Sequence, residues 1–98
     1  MIEDIIKDLN IKDGEYSKDG SYVVNLEDSD EFGRVFSRLD RNEDYEELTE
    51  NSLISLFDTS LIWLKDNFQI NLIADLTQDS YKLVITEIED DKEWAKIE

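Results

Sequence analysis

Two stretches near the C-terminus alternate between apolar and polar residues, and no other feature of the sequence constrains the fold as strongly. They span residues 69–76 and 81–88 and flank the polar segment 77–80. A period of two residues is typical of a strand with one buried face. Two such runs joined by a short polar segment predict an antiparallel hairpin.

Pairing Leu76 with Tyr81 defines a register for this hairpin. The same register places Asp75 opposite Lys82, a cross-strand pair of opposite charge that stabilises a sheet. On the other face, the apolar pairs are Ala74 with Leu83 and Leu72 with Ile85. Because side chains alternate between the two faces, we expect the register and the buried face to be specified together.

Two other segments have the i, i+3, i+4, i+7 apolar spacing of a helix with one buried face. The first predicts a short N-terminal helix that ends near Asn10. The second predicts a helix over 29–41, with Asp28 as its N-cap and Glu31 three residues later. The apolar positions are Ile2, Ile5, Ile6 and Leu9 in the first helix and Phe32, Val35, Phe36 and Leu39 in the second.

An earlier hairpin is predicted around Asp19-Gly20, a dipeptide that suits the two positive-φ positions of a type I′ turn. In that hairpin Tyr16 faces Val23.

The secondary structure of three remaining segments is predicted from the pattern of their polar and apolar residues. Residues 40–51 lack any apolar period and predict a long exposed loop. Residues 52–65 fit either one helix or two strands, and we favour strands over 52–57 and 60–65 that turn at 58–60. The acidic tail 89–98 fits either a terminal helical turn or a loose end.

These elements predict an α+β fold in a single domain over residues 1–98. The expected architecture is an antiparallel sheet of hairpins with a short N-terminal helix and a second helix, at about 29–41, packed on it.

The sequence contains no cysteine and no histidine. It therefore lacks thiolate ligands, disulfides, and the commonest general base and transition-metal ligand. A calcium loop beginning at Asp28 fails because Phe32 and Leu39 occupy ligand positions without offering an oxygen. We expect no catalytic residues, no cofactor and no metal, and hence no enzyme.

Neither a membrane span nor a signal peptide is indicated by the hydropathy pattern. No stretch approaches the roughly 20 apolar residues that a spanning helix needs. Residues 1–4 lack the basic and then apolar pattern of a secretory signal. A cytoplasmic location is expected.

The net charge is the outlying number in the composition. There are 26 acidic and 10 basic residues, which gives −16. A folded chain of this length spans about 30–35 Å, and the same length of duplex DNA carries about 18–20 phosphate charges. Such a chain would repel nucleic acids and anionic membranes and attract basic surfaces. Solubility alone is the competing explanation.

The carboxylates are concentrated in three segments, 27–31, 40–50 and 87–93, rather than spread evenly. The predicted partner-binding acids are Asp28, Asp30, Glu31, Glu43, Asp44, Glu46, Glu47 and Glu50. Tyr45 lies within the densest segment, and an aromatic residue among charges is predicted to anchor an interface.

The isoleucine-rich helix over 2–9, the early hairpin and the acidic connections resemble small acidic phage proteins that act against host defences. That group includes anti-CRISPR inhibitors and other DNA mimics, and the likeness is one of size, charge and layout. The resemblance implies a protein, in the host cytoplasm, that occupies the basic channel or groove in which a target binds DNA or guide RNA.

Two alternatives remain beside this interpretation. One is an immunity-type protein that neutralises a basic toxin such as a nuclease. The other is an acidic adaptor or structural protein whose charge only keeps it soluble, which predicts no salt-sensitive partner.

Overall fold

The computed structural model describes residues 2–48, 53–54 and 58–88, with the side chains of 53–54 outside the description. These ranges contain two helices and seven strands. The elements are α1 (Ile2–Leu9), β1 (Glu15–Tyr16), β2 (Tyr22–Leu26), α2 (Ser29–Arg41), β3 (Glu46–Glu47), β4 (Leu53–Ile54), β5 (Asp58–Lys65), β6 (Phe68–Asp75) and β7 (Ser80–Glu87). No helix in the described ranges is long and apolar enough to cross a membrane.

The strands form one antiparallel sheet in the order β1-β2-β7-β6-β5-β3. Strand β4 also pairs with β5, so β3 and β4 lie end to end along the same edge. Strand β3 lies against Trp63 and Leu64, whereas β4 lies against Thr59 and Ser60.

Both helices pack on one face of this sheet. The cross-strand neighbours Trp63, Ile70 and Ile85 are fully buried there, together with Val35 and Leu39 from α2. Helix α1 contributes its own buried side chains, Ile5 and Leu9. The core therefore lies between the helices and the inward face of the central strands, and the predicted α+β architecture is confirmed.

The helices agree closely with their predicted bounds because both depend on local signals. Helix α1 ends at Leu9, and Asn10 leaves it in the left-handed region with φ of 53°. Helix α2 begins after Asp28, whose carboxylate accepts a hydrogen bond from the backbone nitrogen of Glu31.

The C-terminal hairpin forms on the predicted face but in a different register. Asp75 pairs with Ser80, so the connection is 76–79 and the predicted partner of Asp75, Lys82, lies opposite Ile73. The carboxylate of Asp75 accepts hydrogen bonds from the backbone nitrogen and hydroxyl of Thr77, at 3.1 and 2.6 Å. This side-chain turn ends β6 one residue early and shifts the pairing by two residues.

A shift by two residues leaves every side chain on its predicted face, because side chains alternate with a period of two. Leu72 now faces Leu83, and Ala74 faces Tyr81. Patterning alone therefore identified the buried set, except for Leu76, but not the pairs. Leu76 was predicted to face Tyr81 but lies in the connection and is 49% exposed.

The N-terminal hairpin is also present, with Tyr16 opposite Tyr22 rather than Val23. The backbone nitrogen of Gly20 donates to the carbonyl of Ser17, and Gly20 has φ of 92°, whereas Asp19 does not have positive φ. The loop therefore consists of the three residues 18–20 and ends at Gly20, which has a positive φ. The predicted turn had two residues, and the additional residue shifts the strand pairing by one.

Two predictions for the middle of the chain need correction. Residues 58–60 belong to β5, with Asp58 opposite Asp75, rather than forming a turn. The segment 40–51 is not wholly a loop, since α2 extends to Arg41 and Glu46–Glu47 form β3. The two-strand interpretation of 52–65 holds for the described residues, and the tail 89–98 lies outside them.

Candidate partner-binding surface

The start of α2 uses two of the predicted partner-binding acids to hold the backbone. Oδ1 of Asp28 accepts from the nitrogen of Glu31 at 2.9 Å. Oε1 of Glu31 accepts in turn from the nitrogen of Glu27 at 2.7 Å, and its Oε2 lies 3.4 Å from Nη2 of Arg34. These bonds satisfy free amide groups at the helix N-terminus and give the carboxylates defined positions.

Tyr81 brings the β6–β7 connection beside this helix start. It pairs with Leu26, the last residue of β2, and its ring lies 5.6 Å from that of Phe32 in α2. Its hydroxyl donates to Oδ1 of Asp79 at 3.1 Å. That hydrogen bond raises the pKa of Tyr81, and the charge of Asp28 acts in the same direction.

Asp75 and Asp58 lie at the same end of the sheet, but on the face away from the helices, because the adjacent Ala74 points into the core. They lie directly opposite each other on β6 and β5, and neighbouring strands are about 4.8 Å apart. The hydrogen bond from the Thr77 hydroxyl lowers the pKa of Asp75, with a smaller contribution from the charge of Lys82. Asp75 is therefore held in its charged form.

We call this group the sheet-end cluster. Its members come from the start of α2, from β5, from β6 and from the β6–β7 connection. They are Asp28, Asp30, Glu31, Asp58, Asp75 and Asp79. Sequence reasoning identified only the first three, because strand order and the C-terminal register bring the other three to the same end of the sheet.

The second group of predicted acids lies at the other end of α2. Glu43 and Asp44 follow the helix, and the backbone nitrogen of Asp44 donates to Oδ1 of Asn42 at 2.9 Å. Glu46 and Glu47 are exposed residues of β3. We call these four acids the β3 cluster. The eighth predicted acid, Glu50, lies outside the described residues.

Tyr45 is not an exposed anchor. Its side chain is only 5% exposed and belongs to the hydrophobic core. Its hydroxyl donates to Oδ2 of Asp8 at 3.0 Å, and Nζ of Lys65 lies 5.0 Å from its ring centre. Burial raises the pKa of Tyr45, and the hydrogen bond to Asp8 adds to the effect. The predicted role of this residue in binding a partner does not fit its position.

Arginines separate the two clusters along α2. Nη1 of Arg34 donates to the carbonyl of Leu9 at 2.9 Å, and Nη1 of Arg38 donates to that of Asp8 at 3.3 Å. These cations satisfy carbonyls at the C-terminus of α1, where the helix dipole favours positive charge. Arg38 and Arg41 also line a shallow groove of about 570 Å³ next to Glu43 and Asp44. The β3 cluster thus has two cations beside four acids, whereas the sheet-end cluster has Arg34 and Lys82 beside six.

The two clusters do not merge into one patch. Helix α2 has 13 residues, so its ends are about 20 Å apart. Of the acids in the third acidic segment, 87–93, only Glu87 lies within the described ranges. Its Oε2 accepts a hydrogen bond from Nδ2 of Asn67 at 3.0 Å. No group of three acids in the described ranges is arranged to hold a metal ion.

Comparison with protein-family models, with curated proteins and with solved structures found no match for this chain.

Proposed function

We propose that the protein is an acidic inhibitor that binds the basic nucleic-acid-binding surface of a target protein and competes there with nucleic acid. The targets that suit it best are host defence nucleases such as CRISPR effectors, against which it would act as a DNA mimic. The observation that carries the proposal is that six acidic residues from different parts of the chain lie at one end of the sheet, in the sheet-end cluster.

The orientation of three of these carboxylates supports a role in binding. In Asp28, Asp75 and Asp79 the internal hydrogen bonds go to Oδ1. Within the described part of the chain, Oδ2 of Asp28 and of Asp79 takes no hydrogen bond, so it is available to Lys or Arg of a partner. Carboxylates that are already oriented lose less conformational entropy on binding.

The charge density supports the same interpretation. The molecule is 38 Å along its longest axis and carries a net charge of −16. Duplex DNA of that length carries about 22 phosphate charges. A basic groove that accommodates DNA would therefore attract this protein over a comparable length, and the association would be fast and salt-sensitive.

The proposal is tested by capture from a bacterial lysate at low salt. Immobilised protein is expected to retain a nucleic-acid-binding protein that short duplex DNA releases. A variant of the sheet-end cluster that combines Asp28→Asn, Asp30→Asn, Asp75→Asn and Asp79→Asn should retain at least tenfold less of it. Asparagine can still cap a helix and adopt positive φ, so the fold is preserved.

A matched control removes the same charge from the β3 cluster through Glu43→Gln, Asp44→Asn, Glu46→Gln and Glu47→Gln. We expect the smaller loss from this control, because Arg38 and Arg41 lie beside those acids. Equal losses would point to bulk charge alone. Retention of no nucleic-acid-binding protein, or of proteins that DNA does not release, would contradict the proposal.

A further inference from the structure

A cavity of about 420 Å³ lies between α1 and the N-terminal hairpin, and none of its lining residues belongs to the sheet-end cluster or the β3 cluster. Four of its lining residues are apolar or aromatic: Ile2, Ile6, Tyr16 and Tyr22. Glu3 and Asp13 bring two carboxylates to it, and Lys7 brings one cation. The lining thus combines aromatic rings with a net negative charge.

The two tyrosines form a defined aromatic wall. Their ring centres are 5.1 Å apart at an interplanar angle of 69°, so the edge of one ring meets the face of the other. The hydroxyl of Tyr22 accepts a hydrogen bond from the nitrogen of Gly14 at 2.7 Å, which holds that ring in place. The wall is therefore formed before any ligand arrives.

Tyr16 is unusually exposed for an aromatic residue. Its side chain is 68% accessible, and among the described residues the other large apolar side chain that is clearly exposed is Leu76, at 49%. An exposed tyrosine beside a partly apolar cavity is typical of a binding surface, where aromatic side chains act as rigid anchors.

We propose that this cavity binds an arginine side chain of the basic partner, an inference that rests on the proposed function. A guanidinium group is weakly hydrated, stacks on aromatic rings and pairs with carboxylates, which matches the tyrosines together with Glu3 and Asp13. The carboxylates oppose an anionic ligand. A second copy of this chain is also opposed, because each copy carries a charge of −16.

The test is an NMR titration of the full chain with N-acetyl-arginine methylamide in about 0.15 M salt, where the Debye length is about 8 Å and diffuse attraction is screened. The neutral urea analogue, N-acetyl-citrulline methylamide, has nearly the same shape and is the ligand control. Arginine should shift the ring signals of Tyr16 and Tyr22 and give intermolecular NOEs to them. Citrulline should not.

Three variants test whether arginine binds at this cavity. Tyr16→Ala should weaken arginine binding about two- to fivefold, the range for a cation–π contact at an exposed site. Tyr16→Phe keeps the ring and should bind as the native protein does. Leu76→Ala removes a similarly exposed side chain elsewhere and should also leave binding unchanged. Equal shifts with citrulline, or unchanged binding by Tyr16→Ala, would overturn the inference.

Different experimental results would contradict the arginine-binding role of the cavity and the proposed function. The four-residue sheet-end variant described above should bind arginine as the native protein does, because none of its substitutions lines the cavity. If lysate capture succeeds while the arginine titration fails, only the cavity assignment is wrong. If the titration succeeds while capture fails, the cavity binds guanidinium and the proposed inhibitory function is wrong.

Discussion

Tyr45 and Asp8 join the segment after α2 to the last turn of α1 through a hydrogen bond of 3.0 Å from the tyrosine hydroxyl to Oδ2 of the carboxylate. Nζ of Lys65 donates to the same oxygen, also at 3.0 Å. The three residues come from α1, from the residue before β3 and from the end of β5. One carboxylate therefore ties the N-terminal helix to the edge of the sheet.

Replacing Tyr45 by phenylalanine should lower the free energy of unfolding by about 1 kcal/mol, because a hydrogen bond to a partly exposed carboxylate is lost while the ring remains packed. Urea denaturation measures the change. Tyr16→Phe is the control, since the Tyr16 hydroxyl makes no hydrogen bond in the described part of the chain, and we expect a change below about 0.5 kcal/mol. Equal effects of the two substitutions would show that the contact with Asp8 contributes nothing.

The contribution of Asp8 should depend on pH. Hydrogen bonding from Lys65 lowers the pKa of Asp8 below its ordinary value of 3.8, and the bond from Tyr45 adds to this. Because the folded pKa is depressed, the stabilisation is present above about pH 4 and is lost as pH falls through the folded pKa.

The difference in unfolding free energy between the native protein and Asp8→Asn measures this contribution, since other carboxylates titrate in both proteins. That difference should be constant from about pH 7 to 5 and shrink below about pH 4. A difference that grows on acidification would contradict the assignment.

Gly14 and Gly33 should respond in opposite directions to replacement by alanine. A Cβ on Gly14 would lie 2.7 Å from the carbonyl carbon of Val23 and 2.8 Å from Cγ2 of Val24, so Gly14→Ala should cost about 1–3 kcal/mol. A Cβ on Gly33 meets nothing within 4 Å, and Gly33→Ala should stabilise α2 by about 0.5–1 kcal/mol. Thermal unfolding of the two variants tests both. Matching shifts of the melting temperature would contradict the close approach at Gly14.

Asp28 should contribute to stability through its capping side-chain oxygen and to partner binding through its negative charge. Asp28→Ala removes the N-cap and should cost about 1 kcal/mol, whereas Asp28→Asn retains a capping oxygen and should cost little. Asp30→Ala, in the same helical turn but without a capping bond, is the control. Chemical denaturation measures the free energy of unfolding of the three variants. A cost for Asp28→Asn as large as that for Asp28→Ala would show that charge, rather than capping, stabilises the helix start.

Local signals accounted for the elements that were predicted well. The apolar spacing of α1 and the capping residues of α2 act within one or two turns, so the neighbouring sequence is sufficient to specify them. Alternation likewise identified the buried face of β6 and β7. It could not determine their register, because the hydrogen bonds of Asp75 to Thr77 decided where β6 ends.

Tyr45 shows why the candidate site was predicted less well than the fold. Within its own segment it is one aromatic residue among carboxylates, and nothing there distinguishes an exposed anchor from a core residue. It is buried because β3 pairs with the end of β5 and because Asp8, 37 residues away, accepts its hydroxyl hydrogen bond. Both partners are distant in sequence.

The sequence by itself determined the helices, the faces of the central strands and the large negative charge, because these depend on composition and on short-range periodicity. Only the tertiary structure decided which carboxylates become neighbours. Asp28 and Asp79 reach the same end of the sheet because β2 pairs with β7, and Asp58 lies opposite Asp75 because β5 pairs with β6. Pairing between strands depends on turn geometry and on contacts across the chain, which a local pattern does not contain.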